Sequence, residues 1–289
     1  MIQKTEYKNI CWWCGSKADS REHTHKKTDF KRVFGNPPYP EVDQPIKALT
    51  KGGYRNIQGP NSKEIKFKPV LCKKCNNERS QSLDLAYDKF INWVETNTNQ
   101  IIENETIDFK LIFGNDYLED KLNVLRYYTK HFCCRLAENS ISISREIINF
   151  LNGYGNLQYL IIKFEIRYDI LAMALRHHER GNSYPSLYKA SLKYFYKEEV
   201  EDEIDFVYTF YNYRWFRIHF QYSERITSTD PNFDWYDEYN EADIIDVPTF
   251  YIIPPEKYQD CTDNELYELI EQYKKRELAE DQNNFWLGI

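Results

Sequence analysis

The chain has 289 residues, of which 42% are hydrophobic and 29% are charged, and its formal net charge at pH 7 is −7. This length predicts one large or two moderate domains that can bury a real core, and the net charge argues against a protein that coats nucleic acid over its whole surface. The longest apolar runs are too short to cross a bilayer and the first residues lack an apolar signal core, so we expect a soluble, unexported, cytoplasmic protein with no membrane partner.

Charge is distributed unevenly along the chain. Residues 1–100, called the front part below, hold 18 Lys and Arg against 11 Asp and Glu, a net charge of +7. Residues 101–289, the rear part, hold 20 against 34, a net charge of −14. A basic front part and an acidic rear part predict two domains with different binding partners.

The front part combines a loop-rich insertion with one clear helix. The segment 35–69 is rich in Gly, Pro, Asn and Lys, which indicates an extended insertion with turns and at most short strands. After this segment, apolar side chains recur with the spacing of an amphipathic helix, which we expect to begin near Cys72. These apolar positions are Leu83, Tyr87, Phe90, Ile91 and Val94.

The middle of the chain is predicted to be helical. A long apolar stripe at helical spacing is followed by a shorter stripe over residues 145–151, which the Asn152-Gly153 pair ends. The long stripe consists of Leu118, Leu122, Leu125, Phe132 and Leu136.

The last third of the chain is predicted to hold a small antiparallel sheet. Strand-like runs lie at 157–166 and 249–253, and a hairpin is expected within 205–222, where apolar and polar side chains alternate. Thr262 and Glu265 form a capping box that precedes a final helix. The apolar stripe of that helix is Leu266, Leu269, Ile270 and Tyr273.

Four of the seven cysteines form two C-x-x-C pairs within the front part. A two-residue spacer lets a tight turn point both sulfur atoms at one ion, and two such pairs supply the four thiolates of a tetrahedral Zn²⁺ site. This spacing favours metal over disulfides and fits a reducing compartment. We therefore predict a structural zinc site. Its ligands are Cys11, Cys14, Cys72 and Cys75.

Three motifs together resemble the zinc-bearing branch of the HNH endonucleases, the ββα-metal nucleases built on a treble-clef finger. The motifs are CWWC at 11–14, EHTH at 22–25 and LCKKCNNER at 71–79. The pattern is most similar to that of nucleases of the recombination endonuclease VII type. The resemblance covers about residues 8–95. It implies an α+β protein with a zinc-bound treble-clef HNH module in residues 1–100. A mixed domain of helices and a small antiparallel sheet would follow in residues 101–289.

The resemblance also implies roles for single residues. His23 matches the general base that activates water, and Glu22 matches the acidic ligand of a catalytic Mg²⁺ or Mn²⁺. Asn76 matches the amide ligand at the helix start, and His25 matches the second histidine, which contacts phosphate or metal. These residue types suit phosphodiester cleavage, since a neutral histidine is a competent base near pH 7 and oxygen ligands suit a hard cation.

The proposed roles require that the side chains of the EHTH motif point toward one metal ion. In a regular strand Glu22 would face away from His23 and His25, so a shared metal site requires that the acid lie at a bulge or a strand end. The family's acid is more usually Asp, and the middle asparagine of the HNH name has no clear counterpart before Cys72. The alternative interpretation of Glu22, His23 and His25 is a solvated polar turn in a zinc finger that only binds.

Several polar residues near these motifs are candidates for contacts with nucleic acid. Arg79, one turn after Asn76, is a candidate phosphate clamp, and Asn77 is either a helix cap or an alternative ligand. Lys26 and Lys27 follow the histidines directly and could track a phosphate backbone, although each could equally belong to a solvated basic loop.

The family resemblance predicts an enzyme that hydrolyses phosphodiesters in double-stranded DNA and leaves 5′-phosphate and 3′-hydroxyl ends. Two alternatives stay open: a non-catalytic zinc finger that docks nucleic acid or protein, and an RNA-directed HNH nuclease. The acidic rear part would repel nucleic acid, so we expect it to restrain the nuclease or to bind a protein partner or activator. HNH modules joined to uncharacterised domains resemble effectors of bacterial antiviral defence, and only that analogy suggests such a role here.

Overall fold

Helices and antiparallel strands alternate through the chain, which confirms the predicted α+β class. The computed structural model describes residues 2–37, 47–50, 53–179, 187–197, 203–224 and 243–250, together with Thr262, Glu265 and Glu268. None of the helices in these residues is both long enough and apolar enough to span a membrane.

Seven α-helices can be traced within the described residues. They are α1 (Lys27–Phe34), α2 (Gln81–Thr96), α3 (Thr98–Asn104), α4 (Phe109–Phe113), α5 (Tyr117–Glu138), α6 (Arg145–Leu151) and α7 (Tyr168–Glu179). A short 3₁₀ turn lies at Lys63–Ile65, and a π-helical turn at Lys74–Arg79 leads directly into α2. The helix predicted to begin near Cys72 is therefore present, with a wider first turn than expected.

Ten strands in the described part of the chain form three sheets. The largest has the order β10-β4-β8-β7-β5 with β6 also beside β7, and it is antiparallel except where β10 runs parallel to β4. Its strands are β4 (Leu160–Arg167), β5 (Leu187–Lys189), β6 (Lys193–Tyr196), β7 (Ile204–Tyr213), β8 (Phe216–Tyr222) and β10 (Thr249–Phe250). The two-stranded sheets pair β1 (Lys47–Thr50) with β2 (Gly53–Asn56), and β3 (Thr106–Asp108) with β9 (Ile244–Asp246).

The predicted elements of the rear part can be compared with the structure. The hairpin expected within 205–222 is confirmed as β7 and β8, and the Thr262 N–H donates to the Glu265 carboxylate over 2.7 Å, as a capping box requires. Leu118 was predicted on the apolar stripe of α5, but it is 46% exposed because it lies in the first turn, before the helix meets the core. Residues 251–253 and the stripe of the last helix lie outside the described residues.

The core joins the front part to the rear part. Helices α2 and α5 pack against each other and cover one face of the large sheet. The ring of Phe90 on α2 is fully buried and lies 5.7 Å from that of Phe164 and 6.0 Å from that of Phe216, measured between centroids. At the amino terminus, Ile2 forms a β-bridge with Ile204. The predicted boundary at residue 100 therefore falls between elements that share one hydrophobic core.

Shared burial of this kind predicts that both parts unfold together. We expect Phe90→Ala to lower the free energy of unfolding by about 3–5 kcal/mol, because it leaves a cavity between α2 and the sheet. Urea unfolding followed by far-UV circular dichroism and by tryptophan fluorescence should give one shared transition at a lower midpoint. The control, Leu85→Ala on the same helix, removes a side chain that is 64% exposed and should change stability by at most about 0.5 kcal/mol.

Candidate functional site

Two tight turns present the four cysteines of the C-x-x-C pairs. In the first turn, the Cys11 N–H donates to the Ser16 carbonyl over 2.7 Å and the Gly15 N–H donates to the Cys11 carbonyl over 2.8 Å. Gly15 has a φ of +75°, a conformation that favours glycine. In the second turn, the Cys75 N–H points at the Cys72 sulfur over 3.4 Å, just before the π-helical turn.

The tryptophans of the first turn anchor it in the protein. Trp12 and Trp13 are both buried, and their rings stack with centroids 5.7 Å apart. The Trp13 indole N–H donates to the Asn152 side chain of the rear part over 2.9 Å. The first cysteine pair is thus held by the core as well as by its own turn.

The four sulfur atoms come together as a candidate metal centre. All lie within 4.8 Å of one another, and the Cys14 and Cys72 sulfurs are 3.6 Å apart. Sulfur atoms bound to one tetrahedral zinc at about 2.3 Å would be about 3.8 Å apart, so the cluster fits this ion. Within the described residues, no other group of three or more His, Cys, Asp and Glu side chains has metal-binding spacing.

Proton sharing among the thiols agrees with that arrangement. A hydrogen bond from the Cys75 thiol lowers the pKa of Cys11 to about 4, and the same interaction raises the pKa of Cys75. A cation at the centre would replace such protons with its own charge, since zinc binds cysteines as thiolates.

Glu22 and His23 lie where segment 20–24 pairs antiparallel with segment 65–71, between the two cysteine pairs. This pairing is called the hairpin below, although a long insertion connects its two segments. The residue pairs Ser20/Leu71 and His23/Lys66 form isolated bridges, so three steps along one strand face five along the other.

The extra residues lie on the segment 67–71, whereas residues 22–24 pair regularly with 65–67. Glu22 and His23 therefore face opposite sides of this pairing, and a metal site shared between them stays a prediction. The second segment of this pairing leads within a few residues into the π-helical turn and α2.

The ring of His23 is held in a defined orientation. Its Nε2 lies 2.9 Å from the Pro60 carbonyl oxygen, which can only accept, so Nε2 carries the proton. In the neutral ring Nδ1 then keeps its lone pair. Burial lowers the pKa of His23, and the nearby Lys66 ammonium lowers it further. The imidazole is therefore neutral at pH 7, as a general base must be.

Glu22 points toward α5. Its Oε2 lies 2.9 Å from the ammonium of Lys130, whose side chain is fully buried, and its Oε1 accepts a hydrogen bond from the His23 N–H over 3.0 Å. Burial raises the pKa of Glu22, but the charge and hydrogen bond of Lys130, the charge of His131 and the His23 N–H together outweigh this effect and hold the pKa at about 2. The carboxylate is ionised and paired within the protein, so its predicted role as a metal ligand stays a prediction.

Asn76 lies at the start of the helical segment, one residue after the last cysteine. Its Nδ2 donates to the Ser20 hydroxyl over 2.9 Å, which ties the helix to the hairpin. Its Oδ1 is buried and has no hydrogen-bond partner among the described residues. Asn76 also lines an open groove with Asp84 and Leu85. The Oδ1 oxygen therefore keeps an unused acceptor position.

His25 lies apart from this group, against the sheet. Its ring centroid is 5.7 Å from that of Tyr211 on β7 and 6.2 Å from that of Phe30 on α1. Burial lowers the pKa of His25 to about 3, so the ring is neutral. These contacts give His25 a packing role, and its predicted contact with phosphate or metal stays a prediction.

The four residues predicted to contact nucleic acid differ in their availability. Lys27, Asn77 and Arg79 are exposed, and the Arg79 guanidinium lies 5.4 Å above the Trp13 ring. Lys26 instead donates to the Asp88 carboxylate over 2.8 Å, so its charge is used inside the protein. The surface beside the hairpin therefore offers Lys27, Asn77 and Arg79 to a ligand.

Sequence reasoning missed two residues that shape this site. Lys130, on α5, pairs with Glu22, and Pro60, inside the insertion, orients His23. A lysine within the apolar pattern of a long helix was the only available signal for the first. A backbone carbonyl contact made across the insertion leaves no signal in the sequence.

Removing one cysteine should release the metal. We expect Cys72→Ser to lose zinc and to unfold the loop-rich segment between the two cysteine pairs, because structural zinc sites contribute folding energy. Metal content by mass spectrometry and far-UV circular dichroism measure both effects. The control Cys133→Ala changes a buried cysteine on α5 outside the cluster and should keep its zinc. Zinc retained by Cys72→Ser at the wild-type ratio would contradict the four-cysteine site.

Breaking the Glu22–Lys130 pair should destabilise the protein in a pH-dependent way. We expect Lys130→Met to cost about 3–5 kcal/mol at pH 7, because Glu22 becomes a buried, unpaired charge. Since the pKa of Glu22 then rises, the carboxyl takes up a proton as the pH falls from 7 toward 4, and the difference from wild type shrinks. Urea unfolding at several pH values measures this, and the double variant Glu22→Gln/Lys130→Met should recover most of the loss.

Comparisons with protein families, curated proteins and solved structures found no similar protein. No family model matches the chain, and neither a curated protein nor a solved structure matches it significantly. The geometry of the hairpin and the cysteine cluster is what remains to indicate a function.

Proposed function

We propose that this chain is a metal-dependent endonuclease of the HNH type, which hydrolyses phosphodiesters in double-stranded DNA and leaves 5′-phosphate and 3′-hydroxyl ends. The observation that supports it most is the orientation of His23, whose Nε2–H is held by the Pro60 carbonyl. This contact leaves a lone pair at Nδ1 of a neutral, half-buried ring.

The proposed base chemistry follows from that orientation. Nδ1 takes a proton from a water molecule, and the resulting hydroxide attacks the phosphorus atom. The P–O3′ bond breaks, and the leaving 3′ oxygen takes up a proton from solvent. The positive charge that develops on the ring is offset by the Glu22 carboxylate, which lies next to it in the chain and is ionised. Glu22 also holds the His23 main chain through its N–H.

The proposed catalytic ion is Mg²⁺ or Mn²⁺, with Asn76 and Glu22 as its protein ligands. When bound, such an ion supplies positive charge beside the leaving oxygen. The unpartnered Oδ1 of Asn76 supports this role, since Mg²⁺ prefers oxygen ligands and keeps several positions for water and phosphate. Glu22 could act as a ligand only by exchanging the Lys130 ammonium for the ion.

We further propose that the cysteine cluster holds a structural zinc in a treble-clef arrangement. The closeness of the four sulfurs supports it, and so does the antiparallel pairing of segments 20–23 and 66–71 just before the helix. The sulfur atoms join the first turn to the helix start, and so they hold the hairpin and Asn76 side by side. The acidic rear part would bind a protein partner or activator rather than DNA.

Cleavage of supercoiled plasmid tests the nuclease. We expect nicking with Mg²⁺ or Mn²⁺ and none with Ca²⁺ alone, and His23→Ala should lower the rate by about 10²–10⁴, the usual contribution of a general base. The control His219→Gln changes a histidine on β8 that bonds to Tyr208 and Glu165, and it should leave nicking unchanged. Intact plasmid under every metal condition, or equal rates for His23→Ala and wild type, would contradict the proposal.

The pH profile of nicking gives a second readout. Because the pKa of His23 is lowered, the base is already deprotonated at pH 7, and the rate should fall only as the pH drops below the ordinary value near 6.5. A rate that still rises steeply above pH 7 would mean that another group is the base.

The second candidate is a non-catalytic zinc module that binds nucleic acid or a protein. The Glu22–Lys130 pair favours this candidate, because the charge of the carboxylate is already balanced by Lys130 and not by a metal ion. This candidate predicts duplex binding without cleavage, unaffected by His23→Ala. If single-stranded RNA is cut and plasmid is not, the RNA-directed nuclease replaces both.

A further inference from the structure

Hairpin pairing places Lys66 directly opposite His23. Two backbone hydrogen bonds flank this pair, from Thr24 N to Ile65 O over 2.8 Å and from Phe67 N to Glu22 O over 2.9 Å. This pattern defines a non-hydrogen-bonded pair of an antiparallel ladder. In such a pair the two side chains project from the same face, with Cβ atoms about 5 Å apart.

The positive charge of Lys66 is not used within the described residues. Neither Lys66 nor Lys27 forms an ion pair in this part of the chain, whereas Lys26 is paired with Asp88. Four groups act on the His23 ring: the Lys66 and Lys27 ammoniums, the Glu22 carboxylate and the Pro60 carbonyl. The carboxylate is paired with Lys130, so the two ammoniums are the charges beside His23 that have no ion-pair partner among the described residues.

We propose that Lys66 is a phosphate-binding residue of the candidate site, whose ammonium contacts a non-bridging oxygen of the phosphodiester that His23 attacks through water. The inference rests on the proposed function and deepens it by naming the group that holds the substrate. Because the two side chains leave the same face of the pairing, a phosphate bound by the Lys66 ammonium would lie beside a water held by the base. Negative charge grows on those oxygens as water attacks, which a fixed cation stabilises.

The test uses the full-length, zinc-loaded protein and three variants: Lys66→Met, Lys66→Arg and the control Lys4→Met. Lys4 is exposed and its backbone pairs with Ile141 of the rear part, so the control removes an equal charge away from His23. Binding of a short fluorescent duplex is measured across a salt series, with Ca²⁺ in place of Mg²⁺ to prevent cleavage. The pKa of His23 is measured by NMR titration, with its signal assigned from His23→Gln.

We expect Lys66→Met to lower the slope of log affinity against log salt by about 1 and to raise the pKa of His23. Nicking should fall roughly tenfold or more, the value of one charge-assisted hydrogen bond. Lys66→Arg should keep the salt slope, and Lys4→Met should leave the pKa of His23 and the nicking rate unchanged.

The outcomes separate this inference from the nuclease proposal. Wild-type protein that binds duplex but never cleaves it overturns the nuclease alone, and the salt slope still reports on Lys66. If wild type cleaves while Lys66→Met behaves like Lys4→Met in slope, rate and His23 pKa, only the role of Lys66 is overturned. If wild type does not bind duplex at low salt, both proposals fail.

Discussion

The contact among four cysteine sulfurs is the constraint on which the front part depends. It joins the turn at 11–14 to the start of a helix at 72–75, across an insertion that is rich in glycine and proline. Closing so long a loop costs conformational entropy, which the hairpin's few hydrogen bonds offset only in part. Zinc bound to four thiolates contributes about 10–16 kcal/mol in small structural sites, enough to hold such a segment together. His23 and Asn76 are positioned through this closure.

A second constraint comes from the rear part. The fully buried Lys130 lies 2.9 Å from Glu22 and 3.6 Å from Asp84, so one ammonium from α5 joins the hairpin to α2. Buried ion pairs contribute little net stability, but they are costly to break and they favour one arrangement of the elements around them. Lys130 contacts the Glu22 carboxylate, which accepts a hydrogen bond from the His23 N–H. The His23 ring in turn donates to the Pro60 carbonyl, so these contacts connect α5 to the insertion. The candidate site is therefore built by both parts of the chain, although its sequence motifs lie in the front part alone.

Local patterns explain what could be predicted from the sequence. Cysteine spacing identified the sulfur cluster, and periodicity identified α2 and the β7–β8 hairpin, because each depends on residues close together in the chain. The surroundings of His25 and Glu22 could not be predicted in this way. His25 packs against Tyr211, and Glu22 pairs with Lys130, and both partners are more than a hundred residues away. The exposure of Leu118 shows the same limit, since periodicity does not indicate where a helix first meets the core.

A crystal of the zinc-loaded protein soaked in Mn²⁺ tests the central claim most directly, because anomalous scattering distinguishes the two metals. The account predicts zinc at the four cysteines and a separate manganese ion bound to Oδ1 of Asn76, on the side that faces the hairpin of His23. Zinc at the cysteines with no manganese at Asn76, even at high Mn²⁺ concentration, would contradict a metal-dependent nuclease and leave a zinc-stabilised binding module.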